Sequence, residues 1–149
     1  VRQGNLTSGN SSSCGCRTIS NGERGIRKLL KRWKIPFIQE YRFDDCRYKK
    51  PLPFDFALTD KNGIPFLLIE YDGIQHFTPI AFGDWTLEDM EYNYQITLIR
   101  DEIKNQYCLE NNIPLIRIPY WLYEDGNLIY YLFDKLVQYN AIQEIKSAS

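Results

Sequence analysis

Ile26, Leu29, Leu30 and Trp33 recur at i, i+3, i+4 and i+7, the spacing of a helix with one apolar stripe. Ser20-Asn21-Gly22-Glu23 stands ahead of them as a capping box, and Pro36 closes the stretch, so a helix is predicted between the two. Phe37 to Phe43 reads as a strand. Two further runs, Pro53 to Thr59 and Ile64 to Tyr71, flank Asp60-Lys61-Asn62-Gly63, and Asn-Gly between apolar runs predicts a hairpin. A loop over 73–84 leads to a helical stretch from Thr86 to Glu110. Ile113 to Ile118 makes a short apolar strand, and Ile129, Leu132, Phe133 and Leu136 mark a last helix opened by Asn127. The order α-β-β-β-α-β-α, without internal repeats, predicts an α/β (α+β) fold with a mixed sheet flanked by helices.

The amounts of hydrophobic residues (44%) and charged residues (25%) are those of an ordinary soluble domain, and 149 residues suffice for one core without disulfide staples. No apolar run reaches the roughly 18 residues of a membrane span, and no signal peptide opens the chain. The stretch 1–19 is rich in Ser, Gly and Asn and reads as a linker or as the tail of an upstream module. Val1 in first place implies a piece of a longer protein, with 20–149 as its folded domain.

Net charge is −1, but its distribution is uneven. Residues 1–50 hold 12 Lys+Arg against 4 Asp+Glu (+8), and residues 51–149 hold 6 against 15 (−9). That split points to one surface for a polyanion and another that collects carboxylates. Arg24, Arg27, Lys28, Lys31 and Arg32 line the polar side of the first helix. Arg47, Lys49 and Lys50 cluster before the 53–59 strand, and Arg100 and Lys104 flank Asp101. Such groups supply salt-dependent affinity for a phosphate backbone. Cys46 and Cys108 read as free thiols of a reducing compartment. Cys14-Gly15-Cys16 is half of a tetrahedral zinc site with no second pair to complete it.

Acids stand where strands should be apolar. Alternation puts Phe54, Phe56 and Leu58 on one face and Asp55 with Ala57 on the other, while Leu68, Glu70 and Asp72 share a face of the next strand. With Asn62-Gly63 as a two-residue turn, paired residue numbers sum to 125, so Asp55 faces Glu70 with β-carbons about 5 Å apart. Opposed carboxylates repel unless a cation lies between them, and Mg²⁺ suits a site of one or two carboxylates with waters and a phosphate oxygen. His76, the single histidine, follows within a few residues and can serve as a general base near neutral pH. Two helix positions add acids: Glu23 on the Ile26, Leu30, Trp33 stripe, and Asp101 on the Leu87, Met90, Tyr94, Leu98, Cys108 stripe. An opposite stripe of Ile96, Ile99, Ile103 and Tyr107 leaves open which side of that second helix is buried. An inward Asp101 would orient His76.

Pro53-Phe54-Asp55 followed by Glu70-Tyr71-Asp72 resembles the PD-(D/E)XK nuclease signature, with Asp72 in the place of the usual lysine. The missing lysine and the nearby His76 point to the branch that resembles the very-short-patch mismatch endonuclease, and most narrowly to the EDxHD phage homing endonucleases. Mapped onto this chain, their pattern falls on Glu23, Asp55, a variable position within Glu70 to Asp72, His76 and Asp101. Leu6 to Asn10 and Ser13 to Cys16 resemble the end of a small module common in such phage proteins.

The resemblance implies a restriction-endonuclease-like αβββαβ core and Mg²⁺-dependent, or Mn²⁺-dependent, hydrolysis of double-stranded DNA in the cytoplasm of a bacterial host. Asp55, Glu70 and the Tyr71 carbonyl would hold the cation, and Asp72 would stand among the catalytic acids. His76 would take the proton of the attacking water, with Asp101 orienting it, and Glu23 would hold a water of the cation or a second cation. Arg27, Lys31, Arg47, Lys49, Lys50, Arg100 and Lys104 would grip DNA. Cutting one strand or two depends on whether a dimer assembles on DNA. Other readings stay open: a mismatch-repair nicking enzyme, an RNA substrate, a DNA-binding module without activity, or a protein-interaction domain.

Overall fold

The computed structural model describes residues 20–142; the Cys14-Gly15-Cys16 pair and the 1–19 linker assignment lie outside them. Helix α1 (Asn21–Arg32) is followed by strands β1 (Phe37–Tyr48), β2 (Lys50–Thr59) and β3 (Pro65–Asp72). A 3-10 turn (Ile74–His76) then leads to α2 (Leu87–Glu110), β4 (Leu115–Pro119), a short α3 (Tyr120–Glu124) and α4 (Leu128–Gln138). The sheet order is β1-β2-β3-β4, antiparallel except for β3 and β4, which run parallel across the α2 crossover. The fold is therefore mixed α/β. No helix among the described residues is long and apolar enough to cross a membrane.

Caps and turns follow the sequence closely. Ser20 Oγ accepts from the Glu23 N–H at the start of α1, and Thr86 and Asp89 form a reciprocal capping box on α2, each satisfying donors the helix leaves open. The hairpin turn departs from expectation. Asp60 Oδ1 accepts from the N–H groups of Asn62 and Ile64, making a longer loop with Gly63 at φ +79°. The ladder then shifts between Thr59↔Pro65 and Leu58↔Leu67. That irregularity restores the 125 sum from Leu58↔Leu67 to Phe56↔Ile69. Asp44 to Tyr48 extend β1 past the expected end, with a further shift between Arg42 and Arg47.

Each sheet face has its own core. On one, Ile26 and Leu30 of α1 and Leu128, Leu132 and Leu136 of α4 pack on Phe56, Leu58, Leu67, Ile69, Ile116 and Ile118. On the other, Cys108, Ile103 and Tyr107 of α2 pack on Phe54, Ala57, Leu68 and Cys46. Phe54 corrects the alternation expected for β2: it joins Ala57 on the α2 side instead of Phe56. The pleat is broken at Asp55, next to the end of the β2–β3 ladder, and the site is built there.

Candidate active site

Beyond Phe56↔Ile69, side chains take over the bonding between β2 and β3. The Asp55 N–H donates to Glu70 Oε2 and the Tyr71 N–H donates to Asp55 Oδ2, each at 2.7 Å. Asp55 and Glu70 are thus neighbours across the hairpin as the 125 sum requires, but each carboxylate is bonded to the opposite main chain. Where the strands part, a pocket opens that is walled by Ser20, Glu23, Asp55, Glu70, Tyr71, His76 and Lys104. Glu23 reaches it from α1 on one face of the sheet and is buried; Lys104 reaches it from α2 on the other.

Three of the expected acids and His76 therefore share one pocket. Two expected residues stand behind it. His76 Nδ1 is 2.7 Å from Asp101 Oδ2 and 3.7 Å from Asp72 Oδ1. A carboxylate acceptor at Nδ1 assigns the proton there in the neutral ring and leaves Nε2 as the basic atom. Burial lowers the His76 pKa, but the Asp101 hydrogen bond and the charges of Asp101, Asp72 and Glu70 raise it overall above the ordinary 6.5. Asp72 is buried, and its carboxyl is raised by that burial against the opposing pull of Arg117 and His76. It does not belong to the pocket wall. The expectation that placed Asp72 among the catalytic acids meets a carboxylate paired with Arg117 and not one in the pocket wall.

Arg117 of β4 was hidden within an apolar strand. Its Nη1 donates to Asp72 Oδ1 at 2.8 Å, its Nε to Asn105 Oδ1 at 2.9 Å and its Nη2 to the Asp101 carbonyl at 3.2 Å, tying β3, β4 and α2 together behind His76. The one available signal was a charge at the centre of Leu115-Ile116-Arg117-Ile118. Tyr71, whose hydroxyl is raised by burial and by Glu124 and Glu23, packs against Gly22 of α1.

The basic residues divide. Lys31, Arg47, Lys49, Lys50 and Arg100 are exposed and Arg27 is half-buried. Lys49, Lys50 and Arg100 line a groove with Tyr48 that meets the acidic pocket at Pro53 and Lys104. Lys104 itself corrects the expectation of a surface phosphate contact. It is 8% exposed, its Nζ is 2.8 Å from Glu70 Oε1, and it lies 5.3 Å over the Phe54 ring.

Among the described residues, no three His, Cys, Asp or Glu side chains form a ready metal cage. Mg²⁺ does not need one, since it keeps several waters and takes one or two carboxylates. The oxygen donors of Asp55 and Glu23 and the Tyr71 carbonyl fit that demand by chemistry. Glu70 has a close partner on each oxygen, the Asp55 N–H on one and the Lys104 ammonium on the other. Compared with protein-family models, curated proteins and solved structures, the chain matches none.

Proposed function

We propose that the chain is a metal-dependent endodeoxyribonuclease with a restriction-endonuclease-like core, the catalytic domain of a phage homing endonuclease. The observation that carries the reading is the His76–Asp101 pair at the rim of a pocket whose walls include Glu23 and Asp55. A histidine held through Nδ1 by a carboxylate is built to take a proton at Nε2 and keep it, because the imidazolium it becomes is stabilised by the same carboxylate. In this reading Asp55, the Tyr71 carbonyl and Glu23 hold Mg²⁺ or Mn²⁺, with Glu70 beside them. The cation supplies charge stabilisation at the phosphoryl oxygens. Asp55 keeps its direction through the Tyr71 N–H. Lys49, Lys50 and Arg100 hold the neighbouring phosphates of double-stranded DNA, and carboxylates placed beside such a track serve no purpose in a module that only binds.

The test is conversion of supercoiled plasmid with Mg²⁺, with EDTA, and with His76→Ala and Asp55→Asn proteins. Nicking or linearisation that requires the metal and disappears in both variants is expected. Retardation of intact plasmid on a gel, with no cutting under any metal, would replace this reading with that of a binding module.

A further inference from the structure

The Lys104–Glu70 pair has no place in the chemistry above, yet it is buried inside the same pocket. Lys104 is 8% exposed and Glu70 2%. A buried lysine costs free energy unless a carboxylate neutralises it, and Glu70 Oε1 does so at 2.8 Å. The other oxygen of Glu70 accepts the Asp55 N–H at 2.7 Å. One carboxylate thus joins an ammonium on α2 to the backbone of Asp55, at the point where β2 leaves the ladder.

We infer that Lys104 is a positioning residue of this site, and that Glu70 bridges it to the Asp55 backbone instead of ligating the cation. The inference rests on the nuclease reading for its consequence and on the two Glu70 hydrogen bonds for its geometry. Lys104 anchors Glu70, Glu70 fixes the Asp55 N–H, and that fixes the direction in which the Asp55 carboxylate leaves the strand. Phe54 lies under the Lys104 ammonium, its ring centroid 5.3 Å from Nζ. The break in the β2 pleat is then the means by which Asp55 is aimed, and it needs all three residues.

The experiment is a calorimetric titration of the whole chain with Mn²⁺, run beside plasmid nicking, on wild type, Asp55→Asn, Glu70→Gln, Lys104→Met and Lys104→Arg. Gln at 70 still offers an oxygen to the Asp55 N–H, so Glu70→Gln is expected to keep Mn²⁺ affinity within about threefold, while Asp55→Asn loses at least tenfold. Lys104→Met is expected to retain Mn²⁺ binding and yet lose at least tenfold in kcat at saturating Mn²⁺, with part of it restored by Lys104→Arg. An amide resonance of Asp55 that moves in Lys104→Met, without change elsewhere in β2, is the accompanying NMR signature. Loss of Mn²⁺ binding in Glu70→Gln as complete as in Asp55→Asn makes Glu70 a ligand and overturns the inference. So does a Lys104→Met protein with wild-type kcat. A wild-type chain that takes up Mn²⁺ through Asp55 but cuts no DNA ends the nuclease reading while the titrations still decide the role of Glu70. A wild-type chain that takes up no Mn²⁺ overturns both.

Discussion

His76 Nδ1 and Asp101 Oδ2, 25 positions apart in the chain, meet at 2.7 Å across the start of the α2 crossover. The carboxylate stabilises the charged imidazole, so the neutral form that can act as a base appears only above the ordinary histidine pKa of 6.5. Nicking is therefore expected to fall as pH drops through a midpoint above 6.5. Asp101→Asn removes the largest raising influence, so its acid limb should move to lower pH. Its maximal rate should fall about a hundredfold, because the Nδ1–H tautomer is no longer enforced. The pH–rate profile of plasmid nicking reads both effects. An acid limb that does not move in Asp101→Asn would show that the pair does not govern the base.

Arg117 holds Asp72 at 2.8 Å, and Asp72 is raised by its burial while Arg117 and His76 pull it down. Arg117→Met leaves a buried carboxylate without its main cation, at a cost of about 3 kcal/mol when ionised, somewhat less because Arg117 keeps 22% of its side chain exposed. A group whose folded pKa lies above its unfolded one lends stability below the unfolded pKa and loses it as pH climbs through the folded value. The variant raises Asp72 further, so its deficit should be small near about pH 4 and full by about pH 8. Urea unfolding at both pH values tests this, and equal deficits would remove Asp72 as the cause.

The meeting of Asp55 and Glu70 was readable from the strands' period of two, but through a compensation: the longer loop leaves Thr59↔Pro65 one off the expected sum, and the shift before Leu58 restores it. The burial of α2 was not readable. Its inward side joins Asp101, Lys104, Asn105 and Cys108, three of them polar, to Ile103 and Tyr107 of one apolar stripe. Leu87, Leu98 and Ile99, from the two apolar stripes, are exposed instead. Hydrophobic periodicity cannot find a face whose partners are Glu70, Arg117 and His76. Lys104 was misplaced for the same reason: a lysine among solvated neighbours looks like surface until the carboxylate it neutralises is brought to it by the sheet. Phe54 was misplaced because alternation assumes an unbroken pleat.

A β-carbon on Gly22 would overlap the Tyr71 ring and hydroxyl. Helix α1 can bring Glu23 to the pocket only because position 22 has no side chain. Gly22→Ala is expected to cost about 1–3 kcal/mol, as overpacking does in a filled core, despite the better helix propensity of alanine. In a Tyr71→Ala background the same change should cost at least about 1 kcal/mol less, since the obstacle is gone. Urea unfolding of the two singles and the double closes the cycle. Additive losses would place the cost of alanine somewhere other than the Tyr71 ring.

Lys49, Lys50 and Arg100 line one groove around Tyr48, with Arg100 and Lys49 each 5.8 Å from the Tyr48 ring. If the groove carries the DNA backbone, each of the three neutralises about one phosphate and releases its counterion. Replacing all three by Gln should then lower the slope of log affinity against log salt by about three and weaken binding uniformly over unrelated sequences. Asp134→Asn, on the far helix α4, should leave the slope unchanged, which guards against a general effect of net charge. Fluorescence anisotropy with a labelled duplex, titrated at several KCl concentrations, gives the slope directly. A triple variant with the wild-type slope would move the phosphate track off this groove, leaving Arg27 and Lys31 of α1 and Arg47 of β1 as the remaining basic contacts.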